Sequence, residues 1–204
     1  MKTVDFVEKY NSIFCSLPQF FEANDCLGNS FSFAEAIDKS VQLILKVQDS
    51  SKKVMLVGNG GSAGITSHLA VDFWKNGKVK ATAFNDSSLL TCISNDFSYE
   101  QVFSKPIETF AEAGDVLIAI SSSGNSANIL RACEAASAKS CSVITLSGFS
   151  SDNKLRKLGD VNFFVPAFSY GFVEVLHTHI IHCILDAKMQ CYDSIDIFNK
   201  NLPL

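Results

Sequence analysis

Two stretches of the 204-residue chain combine glycine with hydroxyl side chains: Gly58-Asn59-Gly60-Gly61-Ser62 and Ser121-Ser122-Ser123-Gly124-Asn125-Ser126. Each follows a short apolar run, Val54–Val57 or Asp115–Ile120, and each leads into a helical pattern. Glycine lets a backbone come close to a ligand, and the first turn of a helix presents N–H groups without intrahelical partners. Four hydroxyls and a glycine beside such a turn form a neutral cradle for phosphate, in which backbone donors, side-chain donors and the helix dipole act together. Neither stretch is a nucleotide loop, because the GxxxxGK[ST] spacing is absent and GNGGS does not match GxGxxG. A tight turn and a serine-capped helix would use the same residue types. Two such corners at strand ends of one sheet nevertheless suggest one ligand held between them, a small phosphorylated molecule.

A second chemistry lies in the histidines, which occupy positions 68, 177, 179 and 182. His68 and Asp72 are one helical turn apart, so imidazole and carboxylate can converge on one metal ion or one proton path, although a surface ion pair has the same spacing. On the last helical pattern Glu174, His177 and His182 fall within one broad arc. His179 turns away from His177 and is read as structural or surface.

Positioning these groups requires a sheet. Val54–Val57, Ala81–Phe84, Val116–Ile120, Val143–Leu146 and Phe163–Val165 are apolar runs too short for helices and too uniform for a half-exposed sheet. Helical patterns intervene at about 63–75, 87–94, 99–112, 126–138 and 152–158, and a long one covers about 170–191. This alternation predicts a parallel sheet covered on both faces. Residues 1–50 carry two helical patterns, through Phe6, Val7, Tyr10, Ile13 and Phe14 and through Ile37, Val41, Ile44 and Leu45. Pro18 ends or bends the first, and Ser30 or Ser32 caps the second. These helices pack either on the domain that follows or on another copy of the chain. The expected architecture is one domain, 1–204, with residues 1–50 used in oligomer packing and 51–204 forming the α/β core and its C-terminal helix.

Composition narrows the classes. Seventeen Lys and Arg against 21 Asp and Glu give a net charge of -4, so no basic field advertises nucleic acid. A mean hydropathy of +0.18 and 17 Phe exclude a disordered chain. No apolar run reaches the roughly 18 residues that span a bilayer, and the charged start is unlike a secretory signal. Seven cysteines, an odd number without CxxC spacing, read as reduced thiols, and the expected compartment is the cytoplasm.

GNGGSA at 58–63, His68, SNDFSYE from Ser94, ISSSGNSAN at 120–128, VITLSG at 143–148 and Glu174-Val175-Leu176-His177 leading to His182 together resemble the sugar isomerase (SIS) domain, in its phosphoheptose isomerase branch. The resemblance covers nearly the whole chain. It implies a three-layer α/β/α fold with a mostly parallel five-stranded sheet, and a homotetramer with sites near subunit boundaries. By resemblance, Ser62, Ser121, Ser122, Ser123 and Ser126 hold a sugar phosphate, and Asn59, Gly60, Gly61, Asn95, Asp96 and Glu174 line the sugar. The family's zinc ligands fall on His68, Asp72, Glu174 and His182. Asp72 stands where glutamate is usual and Glu174 where glutamine is usual. Because a helix rises about 12 Å over eight residues, Glu174 and His182 need staggered reach, a helix start near Glu174, or a neighbouring subunit to share one ion. Gly64-Ile65-Thr66 and Gly171-Phe172 also depart from the family. The loop after Asp72 is short, leaving Lys75 or Lys78 in place of an arginine.

The implied activity is ketose–aldose isomerisation of sedoheptulose 7-phosphate through an enediol, with Asp72 as base and His182 as acid, in heptose supply for lipopolysaccharide or capsule. Two alternatives accompany it. One is a non-catalytic phosphosugar sensor resembling the factor that binds the bacterial replication initiator. The other is an isomerase of a different phosphosugar in surface-polysaccharide synthesis.

Overall fold

The computed structural model describes residues 1–198. Along the chain come α1 (Thr3–Ser16), β1 (Glu22–Asn24), β2 (Ser30–Phe31), α2 (Phe33–Asp49), β3 (Val54–Gly58), α3 (Gly61–Lys75), β4 (Ala81–Ala83) and α4 (Ser87–Asp96). There follow α5 (Ser104–Phe110), β5 (Val116–Ser121), α6 (Ala127–Ala138), β6 (Ser142–Ser147), β7 (Val161–Phe164) and α7 (Tyr170–Tyr192). One sheet has the order β2-β1-β7-β6-β5-β3-β4, and its last five members are parallel.

Every residue of β3 and β5 is buried, because helices cover both faces of the sheet. Side chains alternate between the two sides. Val54, Leu56, Val116 and Ile118 pack with Val41 and Ile44 of α2, Leu69 and Phe73 of α3, and Ile180 and Ile184 of α7. Met55, Val57, Leu117 and Ala119 meet Ile107 of α5 and Ile129 and Cys133 of α6.

All five expected strands are present, with ends moved by up to two residues, but the sheet has seven strands. The additional pair is a hairpin, β1–β2, that lies antiparallel on the β7 edge with Ala23 opposite both Phe31 and Phe163. Its turn is organised by the Asp25 carboxylate, which accepts from the Leu27 and Asn29 N–H groups at 2.9 Å each. Gly28 supplies the left-handed residue, φ +87°. Arg156 clamps the hairpin from outside, donating to the Glu22 carboxylate at 2.8 Å and lying over the Phe164 ring.

Two helical expectations shrink to shorter pieces. The pattern at 99–112 splits into a 3-10 turn, Tyr99–Gln101, and α5, while that at 152–158 is only a 3-10 turn, Lys154–Lys157. Ser32, not Ser30, caps α2: its Oγ accepts from the Glu35 N–H at 3.2 Å, and the Glu35 carboxylate accepts the Ser32 N–H at 2.7 Å. Helix α2 buries Ala36, Ile37, Val41, Ile44 and Val47 within this chain, so it belongs to the domain core. Helix α1 buries nothing; its Tyr10 stacks on Phe172 at 4.3 Å between ring centres.

Helices α3 and α7 lie side by side and run the same way. Glu174 touches Gly61 at one end, and Lys188 at the other donates to the Gly77 carbonyl at 2.8 Å. Among the described residues no helix is long and apolar enough to cross a membrane, and all seven cysteines are free thiols. Burial raises the thiols of Cys133 and Cys141 to about 12 and about 11.

Candidate functional site

Strand β3 has β4 on one side and β5 on the other, so the chain reverses its direction of winding between β3 and β5. Loops leaving the carboxyl ends of these strands must diverge, which opens a crevice at this point of a doubly wound sheet. The two glycine- and serine-bearing corners are the loops that line it. The crevice holds a cavity of about 300 Å³ walled by Asn59, Gly60, Gly61, Ser62, Ile120, Ser121, Ser122, Ser123, Ser126, Tyr170 and Glu174.

On the β5 side, Ser121 Oγ lies 3.4 Å from Ser123 Oγ and donates to Ser126 Oγ at 3.3 Å, and the Gly124 N–H donates to Ser121 Oγ at 3.2 Å. Ser126 stands at the N-cap of α6 but makes no capping hydrogen bond, so its hydroxyl serves the crevice instead of its own helix. Ser122 Oγ is buried without a partner, a donor and acceptor free for a ligand or water. Gly124 adopts φ +64° and has the Asn153 side chain pressed against it, leaving no room for a Cβ. On the β3 side, Gly60 at φ +53° precedes α3, whose first turn has no side-chain cap. Uncapped first turns of α3 and α6 thus face the crevice with their positive dipole ends.

Glu174, one turn into α7, rests its carboxylate on Gly61 and is the one charged side chain lining the crevice among the described residues. Lys75 and Lys78 are exposed and lie outside the lining, so neither replaces a substrate-facing arginine within this chain. Two turns further along the α3–α7 seam, His68 Nε2 lies 3.2 Å from Asp72 Oδ2, and the His68 and His182 rings are 5.7 Å apart. Ligand atoms of His68, Asp72 and His182 all fall within 4.8 Å of one another. Asp72 also accepts from the Asn76 amide at 3.1 Å. Asp186, one turn beyond His182, is held above the usual carboxylate range by burial; His182 opposes that shift and Asp72 adds to it.

Of the residues singled out from sequence, Asn59, Gly60, Gly61, Ser62, Ser121, Ser122, Ser123, Ser126 and Glu174 meet in the crevice, and His68, Asp72 and His182 meet on the seam. Glu174 does not join the seam cluster, so the expected fourth ligand sits with the serines. Asn95 and Asp96 end α4, are exposed, bond to each other at 2.9 Å and do not line the crevice. His177 is wholly buried with Nε2 3.1 Å from the Ser147 carbonyl, and burial lowers its pKa to about 4, so it supports the end of β6 as a neutral ring. His179 is exposed beside Phe21. Sequence reasoning missed Tyr170, Tyr99 and Asn128. Asn128 closes the SSSGNSAN run, and Tyr99 sits within SNDFSYE; those motifs were the available signal.

The SIS domain model matches residues 23–148. A phosphoheptose isomerase of Histophilus somni is 39% identical over 178 residues, covering 82% of this chain and 90% of its own length. The chain belongs to the SIS family, in its phosphoheptose isomerase branch. A second phosphoheptose isomerase, from Thiobacillus denitrificans, is 37% identical over 164 residues, covering 76% of this chain and 83% of its own. The solved phosphoheptose isomerase of Neisseria gonorrhoeae superposes with a TM-score of 0.80 at 30% identity, covering 92% of this chain and 99% of that one. The SIS match ends at Gly148, the last residue of VITLSG, so β7 and α7, with Glu174 and His182, rest on the structure.

Proposed function

We propose that this chain is an aldose–ketose isomerase that converts sedoheptulose 7-phosphate to glycero-manno-heptose 7-phosphate. The observation that carries this reading is the pairing of a hydroxyl-rich crevice at the switch point with an imidazole–carboxylate cluster on the adjoining seam. The crevice suits a phosphate, which would take hydrogen bonds from the Ser62, Ser121, Ser123 and Ser126 hydroxyls and from the first turns of α3 and α6. From Glu174 to His182 the helix rises about 12 Å. A seven-carbon chain with its terminal phosphate, built from bonds of ~1.5 Å, extends about 10 Å. An anion held among the serines would therefore send the carbonyl end of a long sugar toward Asp72 and His182.

The reaction moves one proton between neighbouring carbons. Asp72 takes the proton from the carbon beside the carbonyl, His182 supplies one to the carbonyl oxygen, and the enediol forms. Asp72 then returns its proton to the former carbonyl carbon while His182 takes the proton from the hydroxyl on the first carbon, so the carbonyl moves by one carbon and both side chains are restored. Holding the phosphate far from the reacting carbons orients them without taking part in the chemistry. His68, Asp72 and His182 offer nitrogen and oxygen donors close enough for one zinc ion, and they fit such a group. Bound there, zinc would act as a Lewis acid toward the carbonyl.

We place the working molecule as a homotetramer in the cytoplasm. Helix α1 supports the assembly: it buries no residue in this chain and leaves Val4, Phe6, Val7 and Ile13 exposed. Light scattering on purified protein checks this, and a monomer at micromolar concentration would contradict it. Conversion of sedoheptulose 7-phosphate followed by NMR tests the activity. Binding without conversion would instead support a sensor, and turnover of a different phosphosugar an isomerase of another pathway.

A further inference from the structure

Asn59 sits in the crevice with its amide already committed. Its Nδ2 donates to Asn128 Oδ1 at 2.9 Å, and Asn128 Nδ2 returns a bond to Asn59 Oδ1 at 2.8 Å. Tyr99 Oη donates to the same Asn59 Oδ1 at 3.0 Å. A carbonyl oxygen of an amide has two lone pairs, and both are used; an amide nitrogen has two hydrogens, and one remains. Asn59 can therefore offer a ligand only a donor.

The three partners come from three different places: the loop after β3, the first turn of α6, and the 3-10 turn that follows α4. Asn128 is 3% exposed, so its amide is held out of water and has a fixed rotamer. The 3-10 turn is tied to α6 a second time, by Glu100 and Arg131 at 2.6 Å. The shared product of this arrangement is the direction in which one N–H of Asn59 points.

We propose that Tyr99 and Asn128 are positioning residues that saturate Asn59 Oδ1 and so fix the remaining Asn59 N–H as a donor to an oxygen of the phosphosugar end held in the crevice. This rests on the isomerase reading above. It makes Asn59 the contact and the other two residues its orienters, with no direct role of their own.

The test is a double-mutant cycle read in both turnover and binding of sedoheptulose 7-phosphate, with melting temperature followed throughout. Loss of the donor in Asn59→Ala should raise KM by about tenfold, the cost of one hydrogen bond to a charged ligand group. Asn128→Ala and Tyr99→Phe should each raise KM by at least about threefold in the wild-type background, with kcat changed less, because a misplaced donor weakens the grip on the ligand. In the Asn59→Ala background neither should cost more than about twofold, since residues acting through one group are not additive. Asn128→Asp keeps the shape and the acceptor but cannot donate, and should behave like Asn128→Ala.

Equal losses in both backgrounds would overturn the proposal, as would a fully active Asn128→Asp or losses that follow melting temperature alone. Wild-type protein that binds the sugar phosphate without converting it would sink the isomerase reading and leave the relay to be decided by the same cycle in calorimetric affinity. Wild-type protein that does not bind it at all would overturn both.

Discussion

The proposed mechanism gives Asp72 the chemistry and the serines the grip, a division that can be measured one residue at a time. Asp72→Asn keeps the shape of the side chain while removing its basicity. Turnover should fall by about 100-fold or more, as for other general bases, while affinity for sedoheptulose 7-phosphate stays within about threefold. Undiminished turnover would remove Asp72 from the mechanism. Treating the protein with a chelator should lower activity, and added zinc should restore it, because an ion held by His68, Asp72 and His182 would polarise the carbonyl. At this scale the sequence was most legible where function sits on contiguous residues. The serine run and GNGGS each occupy one short stretch of chain, and both line the crevice. Tyr99 and Asn128 reach Asn59 from 40 and 69 residues away, so their pairing depends on tertiary structure that no local pattern encodes.

Elements set where those residues meet. Strands β3, β5 and β6 could be read directly because burial on both faces leaves unbroken apolar runs. The β1–β2 hairpin could not: strands of three and two residues carry no period, and Arg156, more than 130 residues away, holds them to the sheet. Where α7 meets α3, Gly61 leaves space that the Glu174 carboxylate fills. Gly61→Ala should push Glu174 out of place and weaken phosphosugar binding by about tenfold, in keeping with a shifted wall of the crevice. Unchanged affinity would mean that Glu174 does not shape the site.

His177, beneath β6, supplies a pH dependence. Its pKa is about 4 in the folded chain and near 6.5 when unfolded, so between those values only the unfolded state takes up the proton. Stability should therefore be complete above about pH 6.5 and decline as pH falls toward 4, by up to about 3 kcal/mol from this one ring. Urea midpoints at pH 7.5 and 5 in wild-type and His177→Gln protein check this, and an equal slope in the variant would assign the effect elsewhere.

For the molecule as a whole, stability rests on the two apolar layers and on one ion pair that closes the far end of the α3–α7 seam. Lys188 is wholly buried, with its Nζ 2.7 Å from the Asp193 carboxylate. Asp193→Ala would leave a buried ammonium with the Gly77 carbonyl as its remaining partner, at a cost of about 3 kcal/mol or more. A loss of several degrees in Tm is expected, and an unchanged Tm would show that water reaches the site. The one-domain reading came from composition and strand–helix alternation, and the winding reversal between β3 and β5 then places the crevice. Strand order itself was not legible, since adjacent β–α units carry no mark of the side on which they are laid down.

The hairpin on the β7 edge has one more effect. With it in place, the outermost strands of the sheet are β2, two residues long, and β4, three residues long. A rim that short gives another chain almost no ladder to extend, so edge-to-edge polymerisation is discouraged at both margins. Association of copies is thereby turned away from the sheet margins and toward the helical surfaces.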